Sequence, residues 1–84
     1  MEIQNIEKYP QPIDCCNYPY ITLQFTVHSN ILDADVLVWT QINPDLEDEI
    51  LVKLPNGFFP KTISELPDGL RREVYEALKQ VERN

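Results

Sequence analysis

Ile21-Thr22-Leu23-Gln24-Phe25-Thr26-Val27-His28 alternates apolar and polar residues over eight unbroken positions. A pleated strand turns successive side chains to opposite faces, so a period of two predicts a half-buried strand. Ile21, Leu23, Phe25 and Val27 form its inward row. Ser29-Asn30 supplies turn chemistry directly after it.

Downstream, residues 34–42 predict a second strand in which Val36 and Val38 alternate with Leu37 and Trp39, so both of its faces are apolar. Asn43-Pro44-Asp45 ends it. Residues 49–54 predict a third strand with Ile50, Val52 and Leu54 on one side. Pro55-Asn56-Gly57 reads as a turn, because proline presets the first φ and Asn-Gly accepts positive φ. Phe58-Phe59 then reads as a short fourth strand closed by Pro60. Thr62 with Glu65 three residues on fits a capping box. From Pro67 to about Glu82 the apolar residues Leu70, Val74, Leu78 and Val81 fall four, four and three apart, which is one helical stripe.

Upstream, residues 1–19 contain Pro10, Pro12 and Pro19. Proline at that density excludes a continuous helix or a central strand. The segment reads as an extended arm over the domain, with at most a helical turn or short strand before Lys8. The expected architecture is α+β. It is a three- to four-stranded antiparallel meander with one C-terminal helix packed on one face, preceded by the proline-containing arm. Residues 20–84 form a single small domain, and the arm 1–19 belongs to it.

Composition sets outer bounds. Leu, Ile, Val and Phe are 31% of the 84 residues, enough to bury a core at a length that fits one domain. The longest apolar run is Val36-Leu37-Val38-Trp39, far short of a membrane span. Met1-Glu2 begins without a basic or apolar leader, so no signal peptide and a cytoplasmic location are expected.

The formal charge is −7, and it is unevenly placed. No Lys or Arg occurs between Lys8 and Lys53, whereas Asp14, Asp33, Asp35, Asp45, Glu47, Asp48 and Glu49 do. From Lys61 onward acids and bases balance. This distribution argues against direct binding to nucleic acid or anionic lipid, which requires cations facing phosphates. It suits a partner with a basic surface, whose approach the field accelerates.

Catalytic and metal chemistry find little footing. Cys15 and Cys16 are adjacent, which disfavours a structural disulfide, and they read as reduced thiols in a loop. The chain's one histidine, His28, cannot complete a zinc site with that pair alone. His28 and its neighbour Ser29 point to opposite faces of a strand and do not form a nucleophile–base pair, so His28 reads as a surface polar residue. Gly57 and Gly69 are too few for a phosphate-cradling loop. Asp33 with Asp35 has the composition of a carboxylate pair, and Asp45-Leu46-Glu47-Asp48-Glu49 that of a calcium cluster. The latter lacks the glycine of an EF-hand loop, and both read as solvated charges. No enzyme, cofactor or dedicated metal site is expected.

If Val36 and Val38 lie under the helix, Leu37 and Trp39 must face the other way, joined by Leu51 and flanked by Tyr20. Three covers suit that apolar face: the arm through Ile3, Ile6 and Ile13, a second copy of the chain as a homodimer, or another protein. The favoured functional reading is a small acidic interaction module. Its Trp39-centred face docks a protein while Asp33, Asp35, Asp45, Glu47, Asp48 and Glu49 meet basic residues on it. The alternatives are an inhibitor that mimics DNA to a nucleic-acid-binding protein, and an assembly subunit pairing through an open strand edge.

Overall fold

The structure, a computed structural model, describes residues 2–15, 18–41, 50–57 and 59–83, excepting the side chains of 12–15, 18–20 and 83. Five strands form one antiparallel sheet in chain order: β1 (Ile3–Cys15), β2 (Tyr18–Ser29), β3 (Ala34–Thr40), β4 (Ile50–Lys53) and β5 (Lys61–Thr62). A 3-10 turn over Ile63–Glu65 leads into the helix α1 (Asp68–Arg83). The meander with a C-terminal helix on one face is the architecture that the periodicities require.

The core lies between the sheet and α1. Leu23, Phe25 and Val27 of β2, Val36 and Val38 of β3, and Ile50 and Val52 of β4 meet Leu70, Val74, Ala77, Leu78 and Val81 of the helix. Register explains the selection: Phe25 faces Val38 and Val27 faces Val36, so the inward rows align from strand to strand. Gly69 opens the way at the helix start, where an added Cβ would stand 2.9 Å from Ile31 Cδ1. The first helical bond runs from Arg71 N–H to Pro67 O at 2.9 Å, with Asp68 in the first turn, where the helix dipole favours an anion. Among the described residues no helix is long and apolar enough to cross a membrane.

Several expectations need correction. The N-terminal segment is a strand paired with β2, where an arm laid over the domain was expected. It takes an edge position and carries register breaks, both of which tolerate prolines. Its ladder is repeatedly interrupted. Gln4 faces Thr26 and Glu7 faces Gln24, so three steps along β1 match two along β2. A larger irregularity spans Lys8 to Ile13, the stretch holding Pro10 and Pro12. Cys15 closes the strand, whereas Cys16 lies outside the described residues.

Asn5 sits in the first irregularity with a φ of 56°. That left-handed conformation is disfavoured for residues with a branched Cβ and tolerated by asparagine and glycine. Asn5→Val is therefore expected to cost about 1–2 kcal/mol in urea denaturation, and Asn5→Gly a few tenths at most. Equal stability of wild type and the valine variant would remove strain as the reason for asparagine here.

The fourth pairing is made by Lys61–Thr62, after Pro60. Phe59 is 78% exposed and outside any strand, and Phe58 lies outside the described residues. The Leu54–Gly57 turn closes through Gly57 N–H to Leu54 O at 3.1 Å, without positive φ at Asn56 or Gly57. Glu65 does reach back to the Thr62 N–H, at 2.9 Å, but caps the 3-10 turn and not α1.

Candidate functional site

The sheet face turned away from α1 gathers Trp39, Leu37, Leu51 and Asp35 of the residues that the sequence marks as partner-binding. Across β2 and β3, Gln24 faces Trp39, Thr26 faces Leu37 and His28 faces Asp35. Across β3 and β4, Leu37 faces Lys53 and Trp39 faces Leu51. The face thus runs from the Asp35–His28 pair, past Leu37, to Trp39 and Leu51. Asp33 joins it at the end, from the turn between β2 and β3.

Trp39 and Leu51 are buried, at 6% and 4% exposure, and form a second small core with Ile21. Tyr9 and Leu37 pack against it, half-buried. Trp39 is consequently a floor and not an exposed anchor, and its Nε1–H donates to Gln24 Oε1 at 2.9 Å. β1 contributes to this cover through Tyr9, whose hydroxyl donates to Glu7 Oε2 at 2.5 Å. Of the residues expected to do so, Ile3 packs on the helix-side core and Ile6 is 40% exposed. The Ile13 side chain lies outside the described residues.

Ile21 departs from the inward row to which alternation assigns it. The β2–β3 ladder stops at Leu23 opposite Thr40, and the β1 pairing is irregular on the other side, between the partners of Leu23 and Ile21. With β3 no longer paired there and the β1 register shifted, alternation is free to slip. The Thr22 hydroxyl lies 3.3 Å from the carbonyl oxygens of Thr40 and Gln41 and from the Thr40 hydroxyl, which satisfies the buried Thr40 side chain.

The acidic rim is only partly in view. Asp33 and Asp35 are exposed, with side chains 96% and 63% accessible. Asp45, Glu47, Asp48 and Glu49 lie outside the described residues, as does the Tyr20 side chain, although the Tyr20 backbone belongs to β2. His28, read from sequence as a plain surface residue, stands between the two visible carboxylates. Its Nδ1 is 3.1 Å from Asp35 Oδ1 and its Nε2 is 3.5 Å from Asp33 Oδ1, while its backbone N–H donates to Glu2 O at 3.1 Å. Among the described residues no cluster could hold a metal ion, and His28 turns different nitrogens to the two acids.

The hydrogen bond to Asp35 raises the His28 pKa above its ordinary value of 6.5, against the opposing effect of desolvation, and the charges of Asp35 and Asp33 add to the rise. A group whose folded pKa is raised stabilises the fold fully below its unfolded pKa and loses that contribution as pH climbs through the folded one. Between about pH 6 and pH 8, the urea midpoint of the wild type should therefore fall relative to that of His28→Gln. Parallel curves for the two proteins would deny the linkage.

Sequence reading missed the apolar end of the molecule. Ile31 and Leu32, in the β2–β3 turn, are 57% and 41% exposed, with Phe59 exposed after the β4 turn. Leu32, Ala34, Leu54, Pro55, Asn56, Gly57 and Lys61 line a cleft of about 470 Å³ there. The available signal was two large apolar residues directly after Ser29-Asn30, a position where a turn offers no core. Comparison with protein-family models, curated proteins and solved structures finds no match to this chain.

Proposed function

We propose that this chain is a non-enzymatic, acidic protein-interaction module that meets a basic protein surface with the sheet face opposite α1. The observation that carries the reading is the row Asp33, Asp35 and Leu37, accessible or half-buried, beside the buried, packed pair Trp39 and Leu51. Carboxylates at one end supply steering and charge complementarity, and Leu37 supplies an apolar contact. The packed floor keeps the face in one shape, so little ordering is required on binding.

Assembly through strand edges fits less well. β1 carries Pro10, Pro12 and three irregularities, and β5 is two residues long before a 3-10 turn. Short, bulged and proline-bearing edges are those that resist pairing with another chain.

The test is capture from native lysate by the tagged full chain at low salt, with elution by rising salt. Proteins released by salt should be held on the order of two- to tenfold more weakly by Asp33→Asn/Asp35→Asn, and unchanged by Arg72→Ala on the helix. Capture indifferent to the two aspartates, or abolished equally by the helix substitution, refutes this face. Displacement of the same proteins by double-stranded DNA would narrow the partner to a nucleic-acid-binding protein.

A further inference from the structure

Both ring nitrogens of His28 face a carboxylate oxygen, Asp35 Oδ1 at 3.1 Å from Nδ1 and Asp33 Oδ1 at 3.5 Å from Nε2. A carboxylate only accepts, and a neutral imidazole has one N–H and one lone pair. A neutral His28 in this geometry must turn a lone pair on one of two anions. Only the imidazolium donates to both.

We propose that Asp33, His28 and Asp35 form a proton-operated clasp, in which protonated His28 holds both carboxylates and loss of one proton frees Asp33 for a cationic partner. Its regulatory consequence rests on the reading of this face as the binding surface. The three residues come together because β2 and β3 place His28 opposite Asp35, while the turn brings Asp33 back at a φ of 51°. Asp35 is fixed in a strand and makes the shorter contact, so the neutral ring keeps its proton on Nδ1. Nε2 then turns its lone pair on Asp33, whose nearly fully exposed side chain can swing into solvent.

The surroundings favour the proton. β3 and the turn contribute Asp35 and Asp33, while Glu2, just before β1, meets His28 only through its backbone carbonyl. Among the described residues the nearest Lys or Arg by register is Lys53, opposite Leu37 and one cross-strand pair further along the face. On the other side of the sheet, the Glu73 carboxylate of α1 is engaged by Ser29 and Asn30. Hydrogen bonding and charge from Asp35 and Asp33 raise the His28 pKa, so the change falls above the ordinary histidine value. Opening leaves the cluster with one more uncompensated negative charge.

The ring can be followed directly by ¹⁵N NMR of the full chain during a pH titration. The expected wild-type midpoint lies above 6.5, with the neutral form as the Nδ1–H tautomer. Asp35→Asn should lower the midpoint and abolish the tautomer preference, and Asp33→Asn should lower it less. A midpoint at or below the ordinary value, unmoved by either substitution, overturns the clasp.

The binding consequence is read with fluorescein-labelled hexalysine as the cationic probe between about pH 5.5 and 8.5. Wild-type affinity should rise about two- to fivefold through the His28 titration, and that of His28→Gln should stay flat. If the ring titrates as expected but hexalysine ignores Asp33→Asn/Asp35→Asn, the binding face is wrong and the clasp stands. If hexalysine responds to the aspartates and His28→Gln retains the same pH dependence, the clasp is wrong and the face stands.

Discussion

Trp39→Ala is expected to destabilise the fold by about 3–5 kcal/mol, the range for truncating a buried aromatic. Trp39 is 6% exposed, packs with Ile21 and Leu51, and donates its indole N–H to Gln24 at 2.9 Å. Truncation leaves a cavity between β2, β3 and β4 and removes a partly buried hydrogen bond. Domains are commonly stable by only about 5–15 kcal/mol, so the variant should lose much of its margin. Trp39 is the chain's one tryptophan, so the variant has to be followed by far-UV circular dichroism in urea and not by fluorescence. Trp39→Phe, which keeps most of the apolar bulk, should cost about 1–2 kcal/mol, largely from the unpaired Gln24 oxygen. A stability for Trp39→Ala within 1 kcal/mol of wild type would mean that the second core is not structural. The same logic changes how any binding defect is read. Loss of partner binding in Trp39→Ala should track the unfolded fraction, whereas loss in Asp33→Asn/Asp35→Asn should occur while the protein remains folded.

Glu73→Ala should cost about 2–3 kcal/mol, the largest effect expected of any polar substitution here. Ser29 is 1% exposed, and its hydroxyl donates to Glu73 Oε1 at 2.6 Å. The Asn30 N–H donates to Glu73 Oε2 at 2.9 Å, and the Leu32 N–H donates back to Ser29 Oγ at 3.1 Å. One carboxylate on α1 thereby organises the whole β2–β3 turn, including the segment that presents Asp33. Charge-assisted bonds of this kind are roughly twice as strong as neutral ones, and removing the acceptor strands a buried hydroxyl. A double-mutant cycle with Ser29→Ala should return a coupling of about 1.5–3 kcal/mol, and a coupling near zero would make the contact incidental. Glu73→Gln retains one acceptor oxygen and should lose less. In Glu73→Ala the turn should also exchange amide hydrogens faster than β3 does, which separates a local effect from global loss.

Much of the architecture is legible without coordinates. The alternation of Leu23, Phe25 and Val27, and the four-four-three spacing of Leu70, Val74, Leu78 and Val81, are set by the pleat and the helical pitch. Both act over a few residues, so they survive reading one residue at a time. The same holds for Leu37, Trp39 and Leu51 sharing the face away from the helix, since they have opposite parity to Val36, Val38 and Val52. Binding chemistry was less accessible. His28 and Asp35 are seven residues apart, and only their pairing across the β2–β3 ladder makes them partners.

Contacts that depend on which strands meet, and where the ladders stop, belong to the tertiary structure alone. Ile21 leaves its row where the β2–β3 ladder has ended at Leu23 and the β1 register shifts between the partners of Leu23 and Ile21. Trp39 is a floor because Ile21 and Tyr9 arrive beside it, from another strand's irregular end and from a segment whose prolines hid its strand character. Ser29 and Glu73 meet across 44 residues of chain. Local periodicity determined which side chains face inward. Register, bulges and strand order decided which of them find each other, because those depend on the joint closure of distant segments and not on the preference of any one of them.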